Sequence, residues 1–249
     1  MSKHGAWLID LDGVVWLSGH PIDGSVTAIE QLREHDVPVL FVTNNSAPTT
    51  TQLLQRLDRA GIKAAEHEVL TAAQAAASLV PEGGCAVCIA YVGVREALEF
   101  RKVAIIDDGN ADAVIVGWTT TFSYDTLASA SSAVRSGAMF IGTNPDHTHP
   151  TPAGLMPGTG AIIAAVEVAS GTPAIYAGKP GSAMAQLVHE RVDSIAMVVG
   201  DQVATDGAFA ERLGVPFSLV LSGVDRHAPA GVLSANCLSE AVAKWLAQQ

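Results

Sequence analysis

Ala6-Trp7-Leu8-Ile9-Asp10-Leu11-Asp12-Gly13 is an apolar run that ends in two carboxylates and a glycine. The run reads as a strand over about residues 6–12, and a side-chain period of two puts Asp10 and Asp12 on one face of it. Carboxylates usually lie solvated at the surface, so a pair placed behind a buried hydrophobic run suits chemistry better than stability. Two such acids at close range need a cation or a shared proton. Gly13 lets the backbone turn sharply and carry its N–H close to a ligand. A strand that merely ends in a polar turn would read the same way. EF-hand loops also open D-x-D, but the further oxygen ligands and the closing Glu do not follow here.

Outward from this run, short apolar stretches alternate with helical patterns, the signature of βαβ units and a mainly parallel sheet. The first part predicts a helix over 25–35, a strand over 37–43, a helix over 49–61 and an Ala-rich helix over 71–80. Pro81-Glu82-Gly83-Gly84 breaks that pattern. Next come strands near 85–92, 102–106, 112–116 and 138–142, with helices near 94–100, 124–136 and 159–170. After Gly171-Thr172-Pro173 the pattern resumes with strands over 173–177, 195–199 and 216–220 and helices over 181–191, 205–213 and 239–247. The two breaks bracket residues 81–173 as an insertion into a sheet built from 1–80 and 174–249.

Four strand ends carry polar residues: Asp10-Leu11-Asp12-Gly13, Thr43-Asn44-Asn45-Ser46, Gly178-Lys179-Pro180 and Gly200-Asp201. Ligands of open α/β sheets bind outside the carboxyl ends of the strands, so these groups are expected to converge. Each has a plainer reading. Thr43 to Ser46 would serve as a turn and helix cap, Lys179 as a solvated lysine, Asp201 as a cap for the following helix, and Asp206 with Thr205 as the start of that helix. Taken jointly, Asp10, Asp12 and Asp201 form an oxygen-only set suited to a hard cation such as Mg²⁺. Lys179, the Thr43 hydroxyl and turn N–H groups suit the equatorial oxygens of a phosphoryl group.

Composition narrows the classes. With 249 residues, 49% of them hydrophobic, the chain can bury a substantial core, and a formal net charge of −11 argues against binding nucleic acid or anionic membranes. No bilayer-length apolar run and no signal-peptide pattern are present, so the default location is cytoplasmic. Three cysteines make no disulfide framework, and Cys85 and Cys88 fall on opposite faces of a strand, which reads as core and not as a metal or redox pair.

The order DLDGVVW at 10–16, TNNS at 43–46, GKPG at 178–181 and GDQVATD at 200–206 resembles the haloacid dehalogenase superfamily. TNPDHTHPTPAGLMPGTGAI at 143–162 resembles that superfamily's class IIA cap, in the branch of p-nitrophenyl phosphatases, NagD-like proteins and pyridoxal phosphatases. The resemblance spans nearly the whole chain. It implies a Rossmann-like parallel-sheet α/β core (1–80 and 174–249) and an inserted α/β cap (81–173) that sets substrate specificity. It also implies a Mg²⁺-dependent phosphomonoesterase acting on a small phosphorylated metabolite, with a homodimer through the cap as in related proteins.

In residue terms, Asp10 resembles the nucleophile that forms an aspartyl-phosphate, and Asp12 the general acid and then base. Asp10, the Asp12 backbone carbonyl and Asp201 resemble the metal ligands, and Asp206 an acid beyond them that orients metal-bound water or Lys179. Thr43, Asn44, Asn45 and Lys179 resemble the phosphate cradle, while Trp118 and His149 fall where related proteins place residues over the substrate. Dehalogenation needs no protonated alkoxide, so an acid at position 12 favours phosphoryl transfer. Ala47-Pro48 stands where pyridoxal phosphatases typically carry Arg, a departure from that pattern that leaves glycerol phosphate, phosphoglycolate, a sugar phosphate, a nucleotide and pyridoxal phosphate all open as the substrate. Gly158-Thr159-Gly160 reads as the turn that starts the returning helix. A phosphotransferase, or a phospho-acceptor module without turnover, are the other classes that an Asp cluster and a Lys at strand ends would serve.

Overall fold

The opening run is the strand Ala6–Ile9, buried along its whole length, and it lies inside a six-stranded sheet. In this computed structural model, which describes residues 4–17, 19–151 and 154–248 and of 149–151 and 155 only their strand membership, the sheet order runs Leu233–Ala235, Phe217–Val220, Ile195–Gly200, Ala6–Ile9, Val39–Thr43, Val69–Thr71. Ala6–Ile9 pairs in parallel with both neighbours, Ile9 standing opposite Phe41 on one side and Val199 on the other. The chain therefore leaves the first strand to one side and later returns to its other side. That reversal of strand order opens a crevice at the carboxyl ends, where Asp10 follows Ile9 and Asp201 follows Gly200.

Residues 1–43, 51–70 and 185–249 make up this first compact unit. A strand covered on both faces must be apolar throughout, which is why the run does not alternate. Trp7, Ile9, Phe41, Leu53, Leu57 and Leu238 meet in its core, where each large side chain contributes about 2 kcal/mol relative to an exposed position. Helix Ser25–Glu34 turns Ala28, Ile29 and Leu32 inward at helical spacing. Trp7 meets Trp245 of helix Leu238–Leu246 edge-on, with ring centroids 5.6 Å apart.

Residues 44–50 and 71–184 form a second compact unit around a five-stranded parallel sheet ordered Ile175–Tyr176, Met139–Gly142, Ala113–Val116, Cys85–Ile89, Ala104–Ile106. Its division from the first unit differs from the one that Gly and Pro punctuation suggests at 80/81 and 173/174. Ile175 and Tyr176 pair with Ile141 and Gly142, so the segment through Met184 stays with the second unit. Gly171, with φ of 75°, is the left-handed cap that ends helix Thr159–Ser170: it stops a helix and not a unit. At the other break, helix Ala72–Ser78, capped by the Thr71 hydroxyl, already belongs to the second unit.

Smaller differences have local causes. The strand foreseen at 85–92 ends at Ile89, and the helix begins at Val92. The helix foreseen at 205–213 is a wide turn, Val203–Gly207, followed by helix Ala208–Leu213. Two short hairpins, Trp16–Leu17 with His20–Pro21 and Thr148–Thr151 with Gly154–Pro157, pair too few residues to leave a periodic signal. No helix among the described residues is long and apolar enough to cross a membrane.

Cys85 and Cys88 are half-buried and unbridged, and burial pushes the Cys88 thiol up to about 11, against the opposing pull of the nearby Arg95 guanidinium. Only the thiolate attacks electrophiles, so Cys88 is expected to stay unlabelled by an aromatic disulfide reagent at pH 8 in the native protein. Labelling should reach all three cysteines after denaturation. Mass mapping of the labelled peptides checks this, and rapid native labelling of Cys88 would contradict it.

Candidate functional site

Three carboxylates come together at the carboxyl ends of the first unit's central strands. Asp10, Asp201 and Asp206 each offer an oxygen within 4.8 Å of the others, with Asp201 and Asp206 buried and Asp10 half-buried. The register explains the first two: the Asp10 N–H donates to the Val199 carbonyl at 2.9 Å, which holds the two strand ends level. The wide turn over Val203–Gly207 brings in Asp206, whose N–H bonds the Gln202 carbonyl at 2.9 Å while its Oδ2 accepts from the Gln202 N–H at 3.3 Å. Gln202 and not Asp201 is the residue that caps the turn Val203–Gly207, and Asp206 lies within that turn, in line with its plainer reading as the start of the helix. Asp201 Oδ2 accepts instead from the Val224 N–H at 2.7 Å.

The donor set suits a hard divalent cation. Octahedral Mg²⁺ holds oxygens at about 2.1 Å and hence roughly 3 to 4.2 Å from each other, a span these three acids match with little adjustment. Glycines keep the space open: a Cβ on Gly13 or on Gly223 would overlap Asp201, and one on Gly200 would overlap Asp206. Asp206 thus offers an oxygen to the same group as Asp10 and Asp201. The Asp12 carboxylate stands outside that group and is exposed; its Oδ1 accepts from the Trp16 indole N–H at 2.9 Å. Thr43 ends its strand fully buried.

In the second unit, Lys179 is 3% exposed, which overturns the reading of a solvated lysine. A side-chain clamp holds its backbone: Asn44 Oδ1 accepts from the Lys179 N–H at 2.7 Å, and Asn44 Nδ2 donates to the Lys179 carbonyl at 3.0 Å. Asn144 in turn donates to the Asn44 carbonyl at 2.8 Å. Asn45 closes a tight turn by accepting from the Ala47 N–H at 3.1 Å, and Ser46 bonds Thr143 at 3.0 Å. Part of the TNNS run is therefore the turn that the plainer reading foresaw. Trp118 is half-buried, donates to the Pro157 carbonyl at 3.2 Å and stacks on Tyr91 with centroids 5.3 Å apart. His149 pairs in register with Met156, and its side chain lies outside the described residues.

Sequence reasoning passed over Gly223, Asn144 and Tyr91. Ser222-Gly223-Val224-Asp225 follows an apolar strand just as the other polar ends do, so the same rule finds it. Asn144 has no such signal, because its role is a bond to a backbone carbonyl a hundred residues away in sequence.

Comparison with known proteins agrees with this geometry. A haloacid dehalogenase-like hydrolase model matches residues 7–103, and a HAD-hydrolase-like model matches residues 176–247. The acid sugar phosphatase of Staphylococcus haemolyticus is 36% identical over 233 residues, covering 91% of this chain and 89% of that one. The p-nitrophenyl phosphatase from Archaeoglobus fulgidus has a similar structure, with a TM-score of 0.88 and 28% identity over 96% of this chain and 98% of that one. A glycerol phosphate phosphatase from Mycobacterium tuberculosis, solved in complex with magnesium, superposes with a TM-score of 0.83 at 33% identity, covering 90% of this chain and 69% of that longer one. Identity at this level across nearly the whole length marks common descent and not fold alone: the chain belongs to the haloacid dehalogenase-like hydrolases and is a phosphatase of their class IIA branch.

Proposed function

We propose that the protein is a Mg²⁺-dependent phosphomonoesterase that hydrolyses a small phosphorylated metabolite through an aspartyl-phosphate. The observation that carries this reading is the Asp10–Asp201–Asp206 carboxylate group at the switch point of the sheet. Asp10, the Asp12 backbone carbonyl and Asp201 would hold the cation, with Asp206 supporting them. When bound, Mg²⁺ offsets the negative charge of a phosphoryl group and of the acids themselves.

An Asp10 carboxylate oxygen attacks phosphorus, the bond from phosphorus to the leaving oxygen breaks, and that oxygen takes the proton of the Asp12 carboxyl group. Asp12 then accepts a proton from water as the water oxygen attacks phosphorus, releasing inorganic phosphate and restoring Asp10. Thr43, Lys179 and backbone N–H groups of Asn44 and Asn45 are assigned to the phosphoryl oxygens. Residues 81–173 are assigned the role of a cap that supplies specificity, with Trp118 and His149 on the substrate side. The similarity to an acid sugar phosphatase and to a glycerol phosphate phosphatase supports polyol and sugar phosphates as the first substrates to try.

Steady release of phosphate from p-nitrophenyl phosphate is expected in Mg²⁺ and is expected to stop in excess EDTA, returning when Mg²⁺ is restored. One equivalent of phosphorylated protein without turnover would favour the phospho-acceptor reading instead. Phosphate passing to an added alcohol in preference to water would favour the phosphotransferase.

A further inference from the structure

Within the first unit, Trp16 buries its ring in the core at 3% exposure, yet its Nε1–H points at Oδ1 of the exposed Asp12, 2.9 Å away. The loop between them folds back to make this contact: the Gly13 N–H donates to the Trp16 carbonyl at 2.7 Å, and the Trp16 N–H donates to the Leu11 carbonyl at 3.2 Å. The short ladder of Trp16–Leu17 with His20–Pro21 fixes the far side of the tryptophan. A buried indole has one donor, and a partner for it is the common case. Satisfying that donor is not obligatory in this core, since the Trp7 Nε1 is buried with no hydrogen-bond partner.

From this geometry we infer that Trp16 is a positioning residue for Asp12, fixing the carboxyl rotation so that Oδ1 is the acceptor and Oδ2 carries the proton delivered to the leaving oxygen. The inference rests on the reading of Asp12 as general acid. An exposed carboxyl group otherwise rotates freely about its last bond, and proton transfer is productive only from a group held within hydrogen-bond reach. The ring anchors the bond in the rigid core, so the acid is aligned by a group that never touches substrate.

Leaving groups provide the test, because a positioned acid matters for an alkoxide and little for a stabilised phenolate. Trp16→Phe keeps an aromatic ring and removes the donor. Its kcat/KM for glycerol phosphate is expected to fall by about tenfold or more, and that for p-nitrophenyl phosphate by no more than about threefold. Equal losses on both substrates would mark a merely structural role and overturn the inference, as would no loss on either. Should Trp16→Phe fail to fold, site-specific replacement of Trp16 by 3-benzothienylalanine removes only the N–H and carries the same expectation. Asp12→Asn separates the two layers of the argument. If it too shows no selectivity for the poor leaving group, the general-acid reading falls and the Trp16 inference with it. If Asp12→Asn is selective and Trp16→Phe is not, only the role of Trp16 falls.

Discussion

Asp10→Asn is expected to lower turnover of p-nitrophenyl phosphate by at least about four orders of magnitude and to weaken Mg²⁺ binding. The two effects follow from the two roles proposed for the Asp10 carboxylate, nucleophile and metal ligand. Asp10, Asp201 and Asp206 hold carboxylate oxygens within 4.8 Å of one another, and an amide at position 10 keeps the shape of that group while removing one of its charges. Added Mg²⁺ should then stabilise Asp10→Asn less than the wild type, because stabilisation by a ligand follows its affinity for the folded state. Phosphate release and thermal melts with and without Mg²⁺ read both quantities. Retained turnover would remove Asp10 from the chemistry, and equal stabilisation by Mg²⁺ would remove it from the metal's ligands.

The carboxylate group was legible in the sequence because strand ends announce themselves. An apolar run followed by Asp or Gly-Asp states both where a strand stops and what it presents, and two such ends gave Asp10 and Asp201, two of the three acids in the group. The parallel sheet was legible for the same reason, since only strands covered on both faces are uniformly apolar. What could not be read was pairing at a distance. Ile175–Tyr176 looks like any short strand of the core, and only its ladder to Met139–Gly142 assigns it to the second unit. The wide turn that brings Asp206 to Asp10 replaces a helix start that local propensity favours. Asn44 reads as a turn residue, and nothing nearby in sequence shows that its side chain brackets the backbone of Lys179.

Gly223→Ala is expected to weaken Mg²⁺ binding out of proportion to its cost in stability, and Gly13→Ala to do the same with a larger stability loss. Asp201 lies between these two glycines, and a Cβ on either would overlap its carboxylate. The carboxylate cannot simply retreat, because its Oδ2 is held by the Val224 N–H at 2.7 Å and the Asp201 carbonyl by the Asp225 N–H at 3.0 Å. Gly13 also has φ of 82°, where a side chain adds about 1 kcal/mol of backbone strain, whereas Gly223 has no left-handed φ and reports the overlap alone. Gly214 supplies the control: its φ is 68° and a Cβ there meets nothing within 4 Å, so Gly214→Ala should cost about 1 kcal/mol and leave Mg²⁺ affinity unchanged. A displaced Asp201 loses ligand geometry, so a fall in affinity of about tenfold or more is expected for Gly223→Ala, read by titration calorimetry and by the Mg²⁺ dependence of turnover. Wild-type affinity in a folded Gly223→Ala protein would mean that Asp201 is not among the metal's ligands.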